Sequence, residues 1–94
     1  MIIVRNRFVA KPGQATKLAA MLKTAAEAGG LPGYRVLTDM TGDFNTVVME
    51  YEAENIGAFE ARMQEYGSNS AIREKMAGYT DLWITGNREI FKLM

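Results

Sequence analysis

The stretch Phe44-Asn45-Thr46-Val47-Val48-Met49-Glu50-Tyr51-Glu52 decides the fold. Its β-branched and aromatic residues mark a strand. In an extended chain Val47, Met49 and Tyr51 line one side, and Phe44, Thr46 and Val48 line the other. Both sides are largely apolar. A strand covered by helices on one face and by water on the other alternates more cleanly, so something must cover each face. Immediately upstream, Tyr34 to Met40 has a similar composition, with Thr41-Gly42-Asp43 between the two runs. A three-residue connection containing Gly predicts a β-hairpin.

Outward from this hairpin the period changes. Toward the N-terminus, Gln14 to Ala28 places Ala15, Leu18, Ala19, Leu22, Ala25 and Ala26 on one helical stripe, ended by Gly29-Gly30 and barred from continuing by Leu31-Pro32-Gly33. Before it, Ile2 to Val9 reads as a strand closed by Lys11-Pro12-Gly13. Toward the C-terminus, Asn55 is the expected N-cap of a helix carrying Ile56, Phe59, Met63 and Tyr66. Gly67-Ser68-Asn69-Ser70 interrupts that helix, with the break expected at Gly67. The helical spacing then resumes through Ile72, Met76, Tyr79 and Trp83. Thr85 to Leu93 returns to alternation as a last strand. The order β-α-β-β-α-β predicts a single α+β domain over residues 1–94, ferredoxin-like, with a four-stranded antiparallel sheet and two helices on one face. The other sheet face would be bare and apolar, which soluble monomers rarely tolerate, so a homodimer joined through sheet faces is expected.

Composition excludes much chemistry. The 94 residues hold 11 Lys and Arg against 11 Asp and Glu, no His and no Cys. Without Cys there is no disulfide framework, thiolate metal site or Cys nucleophile; without His, the commonest general base and transition-metal ligand are missing. No metal site and no cofactor are expected. A net charge of zero argues against a nucleic-acid footprint, and the acidic third strand lacks the basic and aromatic residues with which ferredoxin-like RNA binders stack bases. No apolar run approaches the roughly 20 residues of a membrane span, and Arg5 and Arg7 break the apolar start too early for a signal peptide. A cytoplasmic protein without nucleic-acid or membrane partners is expected.

Asn6 shares a strand face with Ile2, Val4 and Phe8, where a buried amide must find partners, either in the protein or on a ligand. Tyr66, Tyr79 and Trp83 lie on the stripe expected to face the sheet, as core or as the wall of an apolar cavity with polar tips. These four are the candidate ligand-binding residues, around a cavity entered beside residues 67–70. The strand charges Arg5, Arg7, Arg35, Asp39, Glu50, Glu52, Arg88 and Glu89 read as ion pairs rather than acid–base chemistry, and the seven Met as core filler. No catalytic residue stands out.

The segments Asn6-Arg7-Phe8-Val9-Ala10-Lys11-Pro12-Gly13, Leu37-Thr38-Asp39-Met40-Thr41-Gly42 and Gly86-Asn87-Arg88-Glu89-Ile90-Phe91 resemble the dimeric α/β-barrel superfamily. That superfamily includes the antibiotic-biosynthesis monooxygenase domain and its heme-degrading relatives. The resemblance implies a dimer with a small-molecule cavity between each sheet and its own helices. It also implies two functional readings. One is a cofactor-independent, monooxygenase-like enzyme acting on a small aromatic or quinol-type substrate, whose anion reacts with oxygen in a dry pocket. The other is a non-catalytic small-ligand binder. The heme-degrading members use a first-strand Asn, matched by Asn6, a helix Trp, whose place is taken by Arg62, and an axial His, which this chain lacks. Heme bound adventitiously is therefore expected to survive oxygen and reductant. Loss of the Soret band with release of a tetrapyrrole would contradict this.

Overall fold

The computed structural model describes all residues, 1–94. Strand β1 (Ile2–Ala10) is followed by helix α1 (Ala15–Gly29), strands β2 (Arg35–Thr38) and β3 (Thr46–Ala53), helices α2 (Ile56–Ser68) and α3 (Ser70–Lys75), a 3₁₀ turn (Tyr79–Leu82) and strand β4 (Trp83–Lys92). The sheet order is β2-β3-β1-β4, antiparallel throughout. The ferredoxin-like α+β arrangement read from the sequence is the one observed.

Helix α1 forms because Ala and Leu favour helix and supply the sheet-facing stripe. Leu18, Leu22, Ala25 and Ala26 are buried on it. It ends in a Schellman motif: Gly30 adopts the left-handed region (φ 61°), and the Leu31 N–H donates to the Ala26 carbonyl at 3.1 Å. The stripe packs on Val4, Val47, Met49 and Tyr51 of the sheet, with Phe59, Met63 and Tyr66 of α2 against the same core. Both helices therefore cover one face. Each fully buried side chain such as Val4, Leu18 or Val47 contributes about 1.5–3 kcal/mol by leaving water.

Three sequence expectations need correction. The hairpin strands are shorter than read, and their connection runs over residues 39–45 rather than three residues. The loop is held from within: the Thr46 N–H donates to the Asp39 carboxylate (3.0 Å), the Thr46 hydroxyl donates to the Asp43 carbonyl (2.9 Å), and Asn45 turns at φ 64°. Phe44 and Met40 consequently lie outside the sheet, 84% and 97% exposed, so not all the Met are core. The second helix breaks at Asn69, not Gly67. Asn69 has extended backbone (φ −86°, ψ 106°), and its side chain accepts from the Ile72 N–H at 3.1 Å, starting a new helix. The last helix also stops early. Gly78 at φ 80° turns the chain into the 3₁₀ segment, and Trp83 opens β4 instead of closing a helix.

The face opposite the helices carries Ile3, Arg5, Arg7 and Val9 of β1, Val48 and Glu50 of β3, and Arg35 and Leu37 of β2, as the register requires. Its middle is charged rather than uniformly apolar. Glu50 is only 3% exposed, and it accepts from the Arg5 Nε and from the Arg35 Nε at 2.8 Å. This is the cross-strand ion pairing expected of these strand charges. The Arg5 guanidinium also sits over the Phe91 ring, 5.1 Å from its centre.

Burial by itself raises the Glu50 carboxyl, but the hydrogen bonds from Arg35 and Arg5 and their charges outweigh it and hold the group below its ordinary 4.5. A depressed folded value means stability that is complete above the unfolded carboxyl's titration and lost as pH falls through the folded one. Denaturant titrations should show this acid-side loss in the wild type, and Glu50→Gln should flatten it. An unchanged slope in Glu50→Gln would mean the three-residue cluster carries no linkage.

Candidate functional site

Between the sheet and its helices lies a cavity of about 370 Å³, at the low end of the roughly 300–1,000 Å³ of small-molecule sites. Twelve of its sixteen lining residues are hydrophobic, so its polar groups are few and each one matters. All four residues singled out from the sequence, Asn6, Tyr66, Tyr79 and Trp83, border it. Four different elements deliver them: β1, α2, the 3₁₀ turn and β4.

Asn6 is buried at 7% exposure. Its Oδ1 accepts from the Arg88 Nε at 2.7 Å, across the β1–β4 pair in which the two residues face each other. The Arg88 guanidinium lies over the Phe59 ring, 5.3 Å from its centre. No carboxylate pairs with Arg88 within ion-pair distance, unlike Arg5, Arg7 and Arg35. At the opposite end Trp83 meets Phe8 edge-on at 5.4 Å and Tyr79 at 6.3 Å, forming an aromatic wall. Tyr66 reaches across to α1, where its hydroxyl donates a long bond of 3.4 Å to the Ala25 carbonyl. Gly29 makes that approach possible: a β-carbon there would collide with the Tyr66 hydroxyl. Arg62 of α2 donates to the Gly29 carbonyl at 3.2 Å and so ties α2 to the end of α1.

Two residues that line this cavity each keep a buried donor without a partner, the Tyr51 hydroxyl and the Trp83 indole Nε1, both atoms being closed off from the open space. A polar atom left unpaired in the interior costs about 1–3 kcal/mol, so such atoms point to a functional constraint. Burial raises the Tyr51 phenol, while the charges of Arg88 and Arg62 oppose the rise. Burial also pushes Tyr66 up to about 12, with the Tyr51 phenol adding to it and Arg62 opposing. Both phenols are thus protonated donors over the whole neutral range.

Sequence reading missed Tyr51 and Arg88 as site residues. A Tyr between buried neighbours on the Val47–Met49 face was a signal, because its hydroxyl must be placed somewhere. Arg88 gave none, because only the register brings it to Asn6. The expected entrance also shifts. None of residues 67–70 lines the cavity, and all four are exposed, with the Ser68 hydroxyl turned back onto the Gln64 and Glu65 carbonyls. The exposed lining residues are Gly86, Asn87 and Arg88, so the rim lies at β4. No group of three or more acidic side chains lies close enough together to hold a metal ion. No helix is long and apolar enough to cross a membrane.

No family model matches the chain, and no curated protein matches it in sequence. Its structure is nevertheless similar to solved ones. An uncharacterised NIPSNAP domain protein from Burkholderia xenovorans superposes with a TM-score of 0.85 at 9% identity, over 100% of this chain and 95% of its own. A NIPSNAP family protein from Agrobacterium tumefaciens gives 0.80 at 14% identity, over 100% and 94%. A protein named provisionally as an antibiotic biosynthesis monooxygenase, from Chloroflexus aurantiacus, gives 0.77 at 18%, over 99% and 92%. The chain has the ferredoxin-like fold of these proteins. At such identities the likeness concerns architecture, and function rests on the cavity.

Asn6→Leu removes the acceptor that pins Arg88 while keeping apolar volume. Binding of a cavity ligand should fall about tenfold, while stability changes by no more than about 1 kcal/mol, because the exposed Arg88 regains water. Calorimetric titration and thermal melts check the two halves separately. A large drop in melting temperature with unchanged affinity would mark Asn6 as purely structural.

Proposed function

We propose that this chain binds one small, largely apolar, oxygen-bearing molecule, of the aromatic or quinol type suggested by the resemblance, in the cavity between sheet and helices. The observation that carries the reading is a cavity of about 370 Å³ with a largely apolar lining and one oriented guanidinium, that of Arg88, at its rim. An oxygen atom of a ligand would meet the unpartnered edge of that guanidinium, and the ring or chain would meet the aromatic and aliphatic lining. Binding is better supported than catalysis. The titratable lining residues are Tyr51, Tyr66, Tyr79 and Arg88, and two of the phenols are raised. The lining holds no carboxylate and no imidazole, so a monooxygenase-like reaction would have to start from a substrate already ionised. Mass spectrometry of gently purified protein tests the reading, with a small apolar, oxygen-bearing companion as the expected result.

The same proposal includes a homodimer. No element of the chain covers the face of Arg5, Val48, Glu50 and Leu37, although Glu50 is as sequestered there as a core residue. A depression of about 480 Å³ on that face is lined by Arg5, Arg35, Glu50 and Phe91 among others, a place that a second copy would cover. Light scattering should give twice the chain mass at micromolar concentration. Val48→Asp, on the open face, should yield monomers or insoluble chain, since a carboxylate without a partner is not cheaply buried. A clean wild-type monomer would remove the barrel assembly from the proposal.

A further inference from the structure

Sixteen residues line the cavity, and none is Asp, Glu or Lys; Arg88 is its single charge. The chain as a whole is neutral, so this is a local excess of positive charge against an apolar wall. Arg88 is also oriented. Its Nε is taken by Asn6 and its face rests on Phe59, which leaves the outer edge formed by Nη1 and Nη2 without a protein partner. A guanidinium edge presents two parallel N–H donors at the spacing of two carboxylate oxygens, a fit that a single phenolate oxygen does not use fully. Asn6 already accepts from Arg88, and no carboxylate lines the cavity, so its one charged group is a donor.

We propose that the cavity is a carboxylate site, in which the free edge of Arg88 holds the head of a small apolar acid while its body lies against Phe8, Met49, Met63 and Trp83. The inference rests on the cavity reading above and narrows its ligand to a monoanion. The head lies toward the β4 rim, where Arg88 is exposed, and the body is inside, which is the orientation that keeps charge near water. Asn6 acts as a positioning residue, through Arg88. Atoms on β3, β1 and β4 are brought into one row by the register that places Asn6 between Met49 and Arg88.

Trp83 is the only tryptophan and lines the cavity, so its fluorescence reports occupancy directly. Decanoate and decanol, equal in chain length, are titrated into the wild-type protein and into Arg88→Gln and Arg88→Lys, each checked by thermal melt. Decanoate should bind about ten- to hundredfold more tightly than decanol, the range of a charge-assisted pair. Arg88→Gln should abolish that preference and leave decanol unaffected. Arg88→Lys, which keeps the charge and loses the two-point edge, should fall between. Equal binding of acid and alcohol, unmoved by Arg88→Gln, would overturn the carboxylate site and leave the apolar cavity standing. If neither compound perturbs Trp83, the carboxylate inference and the ligand-binding reading fall together.

Discussion

Everything in this molecule depends on the register of β1 between β3 and β4. That strand is central, and the pairing Met49–Asn6–Arg88 runs across three strands as one row on the helix face. The neighbouring row, Arg35–Glu50–Arg5–Glu89, runs across the opposite face. Because side chains alternate with a period of two, a slip of one residue would exchange the two faces. Asn6 would then meet the open side, and the arginines would be forced beneath the helices, where nothing could pair them. The hydrophobic alternation of Val4 and Phe8 on one side and the Glu50 ion cluster on the other fix the same register from opposite faces.

The helix layer is matched to that sheet by removal as much as by addition. Gly29 lacks a β-carbon where Tyr66 arrives, and Ala25 and Ala26 keep α1 close to the sheet. The space that remains open is bounded by long side chains from α2, the 3₁₀ turn and β4. The cavity opens at the β4 rim, and beside it the packing leaves the Tyr51 hydroxyl and the Trp83 Nε1 buried and unpaired, at a cost in stability. Arg88 gives it a polarity. With one nitrogen tied to Asn6 and its plane against Phe59, the guanidinium is held in one orientation, which reduces the entropy lost when an anion is gripped.

The element order and its layers were legible in the sequence because both rest on local periodicity: period two in Ile2 to Val9, helical spacing in Ala15 to Ala26, and the Gly and Pro stops between them. The places that were misread share one cause. Asn45, Asn69 and Gly78 each redirect the chain through a side-chain bond or a left-handed turn that periodicity does not record. The Asp39–Asn45 loop reads like strand by composition, since Met40 and Phe44 are apolar, yet its internal hydrogen bonds take it off the sheet. Trp83 continues a helical spacing that the backbone has already left.

The candidate site divides along the same line. Asn6, Tyr66, Tyr79 and Trp83 were visible because polar or amphipathic residues on an apolar stripe must satisfy their polar atoms somewhere, and that requirement is local. Tyr51 and Arg88 entered only through tertiary structure. An arginine on an edge strand is ordinarily a solvated charge, and nothing in its neighbours Asn87 and Glu89 distinguishes it. Its meaning comes from facing Asn6 across 82 residues of chain and from having no carboxylate nearby. Sequence by itself determined the alternation of strands and helices and which faces are apolar, because backbone geometry and burial act over a few residues. Only the tertiary structure decided which charges are neutralised and which are left facing a cavity, because electrostatic pairing depends on distances between residues remote in the chain.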